Sequence, residues 1–306
     1  MPELPDITVY CERLTALAGG SVLRSVQLAS PFLLRTVEPP LSTAAGRRLL
    51  GVERLGKRIV LALEGDLFLV LHLMIAGRLR WRAPGAAIPA RDGLCAFDFD
   101  AGTLLFTEAS KKRRASLHVL AGREALVAHH TPGLEPLTAS AEQFEAALLR
   151  ENRTLKRALT DPRLFSGIGN AYSDEILFEA RLSPMKLTSR LEPEERRRLH
   201  EATRAVLLRF TERLRAEVGE GFPEKVTAFR DDMAVHGRHR QPCVRCGAEV
   251  QRIVYAENEC DYCAACQNQG RLLADRALSQ LLKKDWPRTL EELELARTVG
   301  PSRGRR

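Results

Sequence analysis

The sequence predicts an α+β chain with an N-terminal β-sandwich or barrel, a helical middle and a small metal finger near the end. Three observations carry this. Between Ser21 and Leu120, short apolar runs alternate with breaks made of Gly, Pro or charged residues, the signature of many short strands. From Ala139 onward, apolar residues recur at helical spacing. Finally, two C-x2-C pairs, Cys243 with Cys246 and Cys263 with Cys266, are separated by 16 residues (263 − 246 − 1), which suits two knuckles of one tetrahedral zinc site.

The chain opens Met1-Pro2-Glu3-Leu4-Pro5-Asp6. Removal of Met1, which a small second residue permits, would leave a secondary amine at Pro2 beside the Glu3 carboxylate. Such an amine can attack an electrophilic sugar carbon and form an iminium, while the carboxylate moves protons. By themselves these six residues describe a stiff N-terminal arm before they describe a reactive pair. Ile7 to Ala18 follows at near-helical spacing and stops at Gly19-Gly20.

Strands are then expected at Ser21–Leu28, Arg47–Val52, Arg58–Leu63, Leu67–Leu73, Arg78–Trp81, Cys95–Phe99, Thr103–Phe106 and Ser116–Leu120. Glu64-Gly65-Asp66 and Asp100-Ala101-Gly102 make tight turns between them. Lys57 is placed at the start of a strand just after Gly56, where backbone can approach a ligand closely. The run Lys111-Lys112-Arg113-Arg114 lies in a loop. It describes a solvated turn, or a meeting place for an anion, since four adjacent like charges repel.

In the helical part, Ser140 with Gln143 forms an N-cap signature, and Pro162 ends the segment begun at Asn152. Gly167-Ile168-Gly169-Asn170 stands before a helix running to Ala180. Its backbone N–H groups and the helix N-terminus suit a phosphate, and a purely structural turn is as good an account of the stretch alone. Leu191–Val218 is an amphipathic helix whose mixed charges describe a solvated face. In the finger, Val250–Tyr255 is a strand, Ala256–Glu259 its turn, and Cys260 a spare thiol. Four cysteine ligands leave no open position, so the zinc is structural. Leu272–Trp286 is expected to be helical and Pro301–Arg306 a disordered basic tail.

Composition narrows the partners. Lys plus Arg is 47 against 39 Asp plus Glu, a net charge of +8, which favours an anionic partner such as nucleic acid. No stretch is long and apolar enough to span a membrane, and there is no signal-peptide pattern, so a cytoplasmic, nucleoid-associated protein is expected. Five of seven cysteines crowd between Cys243 and Cys266, which in a reducing compartment favours metal over disulfides.

Taken together, Pro2-Glu3-Leu4-Pro5, Lys57, His72-Leu73 followed by Gly77, Gly167-Ile168-Gly169-Asn170 and the four-cysteine finger resemble the formamidopyrimidine-DNA glycosylase and endonuclease VIII family of bifunctional DNA repair enzymes. The resemblance spans most of the chain. It implies an N-terminal β-sandwich domain (1–130), a helix-two-turn-helix domain (131–235), a zinc finger (236–270) and an extension (271–306), with damaged DNA held in the cleft.

It further implies that Pro2 attacks C1′ of a flipped nucleoside, that Glu3 moves the sugar's protons, and that Lys57, Asn170 and Gly169 bind phosphates. Lys156 falls where the family has a lysine that touches DNA or base. Four positions depart from the pattern. Asp6 replaces a glutamate, and Ile75 stands for the methionine that fills the vacated base position. A loop including Arg113 and Arg114 replaces the wedge on the opposite strand, and Asn258 replaces the finger arginine. Arg252 and Arg245 are candidates to compensate for that arginine.

The expected function is a monomeric glycosylase with AP lyase activity, acting on a damaged, oxidised base in double-stranded or single-stranded DNA. Two rivals stand beside it: a lesion-binding protein on the same fold without useful catalysis, and a zinc-knuckle protein with an RNA partner.

Overall fold

The first helix begins earlier than the apolar spacing suggests. In the computed structural model, which describes residues 1–129, 133–224, 226, 230–255, 258–274 and 287–299, helix α1 spans Leu4–Ala18. Glu3 is its N-cap, and Asp6 Oδ2 accepts from Glu3 N at 2.8 Å in a capping-box arrangement. Pro5, which resembles an arm in the sequence, is tolerated because the first helical turn needs no donor there. Ile7, Tyr10, Cys11, Leu14 and Ala18 share one face and are buried in the N-terminal core.

All eight expected strands form: β1 (Val22–Leu28), β2 (Arg47–Leu55), β3 (Arg58–Leu63), β4 (Leu67–His72), β5 (Gly77–Arg82), β6 (Gly93–Phe99), β7 (Gly102–Glu108) and β8 (Ser116–Ala121). They pair antiparallel in the order β5-β7-β6-β1-β2-β3-β4-β8. The link between β1 and β2 rests on only two residue pairs, Val22 with Arg48 and Leu23 with Arg47. The four strands on either side of it contribute to one core, with Phe97, Leu104 and Phe106 from one half and Ile59, Leu61 and Leu117 from the other. The sheet therefore folds over on itself, as a sandwich requires.

Helix α2 (Arg123–His129) was not foreseen, since only Leu126 of its seven residues is buried. Then come α3 (Ala141–Leu149), α4 (Leu155–Thr160), α5 (Asn170–Glu179) and α6 (Pro193–Val218). Ser140 caps α3 as expected, its hydroxyl accepting from Gln143 N at 3.2 Å. Helix α4 ends one residue before Asp161-Pro162, as proline dictates.

The finger hairpin pairs β9 (Val250–Tyr255) with β10 (Asn258–Cys263), followed by α7 (Ala264–Asn268). Asn258 and Glu259, expected in the turn, belong to β10. A last helix, α8, spans Leu290–Val299. The tail from Pro301 and most of the helix expected over Leu272–Trp286 lie outside the described residues.

Contacts group the chain into two units. The first is Met1–Glu135, Ser166–Ile168 and Leu207–Ala228; the second is Pro136–Phe165, Gly169–Val206 and Phe229–Arg306. Helix α6 therefore gives its first half to one unit and its second to the other. Within the first unit, Arg215 pairs with Glu12, Arg13 Nε donates to Gly221 O at 2.7 Å, and Phe222 meets Tyr10 with ring centroids 5.5 Å apart. Helix α1 is thus held on both sides, and the N-terminus that precedes it has a rigid base.

Candidate functional site

In the first unit the N-terminal residues are interior. Pro2 is buried, and Glu3 and Asp6 are only 2% and 4% exposed. Leu4 N donates to Gly167 O at 2.9 Å. Gly167 has φ +79°, and a Cβ there would stand 2.8 Å from Leu4 Cβ and 3.2 Å from Arg54 Nη1. The first glycine of the Gly-rich turn is therefore required by close packing against the N-terminal arm, which is the structural one of the two accounts that the sequence leaves open.

Lys57 differs in place from the expectation. It is the second residue of the two-residue turn between β2 and β3, after Gly56 at φ +62°, the pattern of a type II′ hairpin turn. Arg54 fastens this turn: its Nη1 donates to Gly56 O at 3.0 Å and to Ser166 Oγ at 3.4 Å, and its Nη2 pairs with Glu135. Arg54 thus links the Lys57 turn to the Gly167 turn. Nothing in its sequence context distinguishes it from other surface arginines.

Burial lowers the pKa of the N-terminal amine, carried here by Met1, below its ordinary value. The charge of Glu3 opposes the shift, and those of Arg78 and then Lys57 add to it. An amine must lose its proton to act as a nucleophile, and burial favours that loss. Arg78 also donates to Ile75 O at 3.1 Å and Gly77 O at 2.6 Å. That steadies the turn on which Ile75 stands, 61% exposed.

Arg113 and Arg114 are exposed, as are Lys111 and Lys112. Their loop hangs on a residue that the sequence did not single out: the Glu108 carboxylate, 3% exposed, accepts from Arg114 N at 3.0 Å and Ala115 N at 3.1 Å.

In the second unit, Gly169 is the buried N-cap of α5 and Asn170 its half-buried first residue, where the positive end of the helix dipole lies. Lys156, expected to touch DNA or the base, is 2% exposed. Its Nζ donates to Asn170 O at 2.7 Å and Asp174 Oδ1 at 2.6 Å. A lysine at this depth needs a partner, and Asp174 supplies it.

The four finger cysteines have sulfur atoms within 4.8 Å of one another. Cys243 to Cys266 is 3.9 Å and Cys246 to Cys263 is 3.5 Å, bracketing the roughly 3.8 Å edge of a tetrahedron with Zn–S arms of about 2.3 Å. Arg245 N and Cys266 N point at Cys243 Sγ and Cys263 Sγ, at 3.4 and 3.5 Å, as donors that stabilise thiolates. The set fits a tetrahedral metal ion. Cys260 lies apart from it, bonded to Asp174.

The side chain of Asn258 lies outside the described residues. Neither candidate to replace the finger arginine is uncommitted. Arg252 pairs with Asp261 at 2.8 Å and Glu259 at 3.0 Å. Arg245 stacks 4.2 Å above the Phe178 ring and donates to Phe178 O at 3.0 Å.

Two family models match: the formamidopyrimidine-DNA glycosylase N-terminal domain over residues 1–115 and its H2TH domain over residues 133–217. The chain belongs to the formamidopyrimidine-DNA glycosylase family. A family member from Thermus thermophilus is 35% identical over 283 residues, covering 88% of this chain and all of the relative. One from Solibacter usitatus is 31% identical over 277 residues with the same coverages.

Among solved structures, the MutM (Fpg) protein from Thermus thermophilus superposes with a TM-score of 0.72 at 34% identity, over 87% of this chain and 98% of that one. The Lactococcus lactis Fpg in complex with abasic-site DNA gives 0.77 at 23% identity, over 87% and 99%, and supports the fold. Family membership fits the α+β architecture and the four-cysteine hairpin described above.

Proposed function

We propose that this chain excises a damaged, oxidised base and then cuts the strand, with the Pro2 amine as nucleophile. As a member of its family it is a base-excision-repair DNA glycosylase, and lyase activity is typical of that family. The observation that supports the chemistry is the placement of Pro2 and Glu3 in the interior of the first unit, Pro2 buried and Glu3 2% exposed, immediately before α1.

After loss of Met1, the Pro2 nitrogen attacks C1′ and the bond from C1′ to the base breaks. Glu3 delivers a proton to the ring oxygen, the sugar opens, and nitrogen and C1′ share an iminium. The iminium acidifies C2′. Loss of a C2′ proton and departure of the 3′ phosphate then complete a β-elimination, and a second elimination at the 5′ side can follow.

Lys57 takes a phosphate beside the lesion, Gly169 and Asn170 take another at the N-terminus of α5, and Arg113 and Arg114 face the opposite strand. Ile75 enters the space vacated by the base, and Asp6 belongs to the lesion-reading region. The metal at Cys243, Cys246, Cys263 and Cys266 is a structural Zn²⁺. The protein acts as a monomer on double-stranded DNA of the nucleoid.

The test is borohydride trapping with an abasic-site duplex, using protein whose Met1 has been removed. A covalent complex is expected, and Pro2→Gly is expected to abolish it. No trapped species from correctly processed protein would refute the amine mechanism.

A further inference from the structure

Asp174 sits on α5, one turn past Asn170, and its side chain is 0% exposed. Its carboxylate receives four donors. Lys156 Nζ at 2.6 Å and Cys260 Sγ at 3.2 Å reach Oδ1, and His236 Nδ1 at 2.8 Å and Asp261 N at 3.3 Å reach Oδ2. Lys156 spends a further bond on Asn170 O at 2.7 Å. The next residue, Glu175, accepts from the backbone N of Ala234, Val235 and His236 at 2.8, 2.9 and 3.0 Å. Asp261 in turn accepts from Gly237 N at 2.8 Å. Four pieces meet here: α4 through Lys156, the first turns of α5, the stretch Ala234–Gly237, and strand β10 of the finger.

Asp174, His236 and Asp261 have ligand atoms within 4.8 Å of one another, close enough for a metal ion. The Lys156 ammonium, however, already bonds the central carboxylate, and Arg252 already pairs with Asp261. The cluster is balanced by side-chain cations. Burial alone would raise the Asp174 carboxyl, yet Lys156 and His236 hold it below its usual range. For His236, burial works downward, while the bond to Asp174 and its charge raise the imidazole.

A network of this kind carries a large desolvation cost that an apolar core would avoid, so what it secures is position. We propose that Lys156, Asp174 and His236 form a positioning network that sets the Asn170 turn for its phosphate and fixes it in register with the finger hairpin. Cys260 belongs to this network as a donor to Asp174, which accounts for a thiol the metal does not need. The inference rests on the reading of Asn170 as a phosphate ligand.

The test uses the full chain with zinc and a duplex carrying a stable abasic-site analogue, so that affinity is measured without catalysis. Two variants are compared: Lys156→Met, which takes the lysine partner from Asp174, and Lys156→Met/Asp174→Asn, which removes both charges of the pair. Each is made with and without Asn170→Ala. The double variant is expected to regain most of the melting temperature lost by the single one and to keep its zinc. It should still bind about tenfold more weakly than the parent, a loss of about 1.4 kcal/mol.

In the Asn170→Ala background the same double change should add less than about twofold, because the two act through one contact. Parental affinity in the double variant, or effects that multiply in full, would overturn the proposal. His236→Gln, which keeps a donor toward Asp174, should bind better than His236→Leu, and equal affinities would count against it. A trapping failure in the parent chain would leave this measurement standing and would strike the amine mechanism alone.

Discussion

Gly167→Ala separates a backbone requirement from a catalytic one. Alanine at φ +79° costs about 1–2 kcal/mol in the left-handed region. Its methyl would also lie 2.8 Å from Leu4 Cβ, where about 3.5–4.0 Å is comfortable, so the arm must retreat by roughly 0.7–1.2 Å. Such overpacking adds about 1–3 kcal/mol.

Because Leu4 is two residues from Pro2, that retreat moves the proposed nucleophile, and displacements near 1 Å cost on the order of 100-fold in rate. Gly20→Ala is the control: Gly20 has φ +78° with nothing within 4 Å of a built Cβ, so it carries the backbone cost alone. Differential scanning calorimetry and single-turnover borohydride trapping on an abasic duplex read the two effects. Gly167→Ala should melt well below Gly20→Ala and trap about 10- to 100-fold more slowly. Equal melting shifts with trapping rates within about twofold would refute the account of Gly167 as the seat of the N-terminal arm.

Three further outcomes follow from the geometry. Burial first, then Arg58 and Lys57, hold His72 down to about 4 against an ordinary 6.5. The unfolded chain therefore takes up the proton first as pH falls, and stability should be lost between pH 6.5 and 4, by about 3 kcal/mol at most from this residue. Urea unfolding at stepped pH should show the loss reduced in His72→Gln. Cys246→Ser should lose the metal and weaken DNA binding by about tenfold or more, whereas Cys260→Ser keeps one zinc per chain by plasma mass spectrometry; zinc loss in the latter would contradict the ligand set. Glu108→Gln should loosen the Lys111–Arg114 loop and raise its amide hydrogen exchange, with about 1–3 kcal/mol lost from the two hydrogen bonds to a charged acceptor, and unchanged exchange would dismiss Glu108 as its anchor.

Several residues stand where their surroundings, and not their neighbours in sequence, decide their role. Arg54, Glu108 and Asp174 are ordinary charged residues in the chain, yet each anchors a turn, a loop or a helix end. Lys156 shows the converse, since a lysine in a basic, DNA-binding sequence invites a surface role and proves to be interior. Helix α2 was missed because a short helix with one buried residue leaves almost no periodic trace. The start of α1 was misplaced because a proline favours both a stiff arm and a helix's first turn.

By itself, the sequence determined whatever depends on local periodicity and spacing. The eight strands follow from short apolar runs and their turns, α6 from its stripe, and the metal knuckles from two C-x2-C pairs, because these signals are carried by residues close along the chain. The proposed reactive pair can be picked out for the same reason, Pro2 and Glu3 being adjacent. Only the tertiary structure decided that Gly167 supports the N-terminal arm, that Arg54 ties two turns together, and that Lys156, Asp174, His236 and Cys260 share one buried site. Those partners lie tens of residues apart, and the desolvation that makes each contact matter exists only once the chain has closed around it.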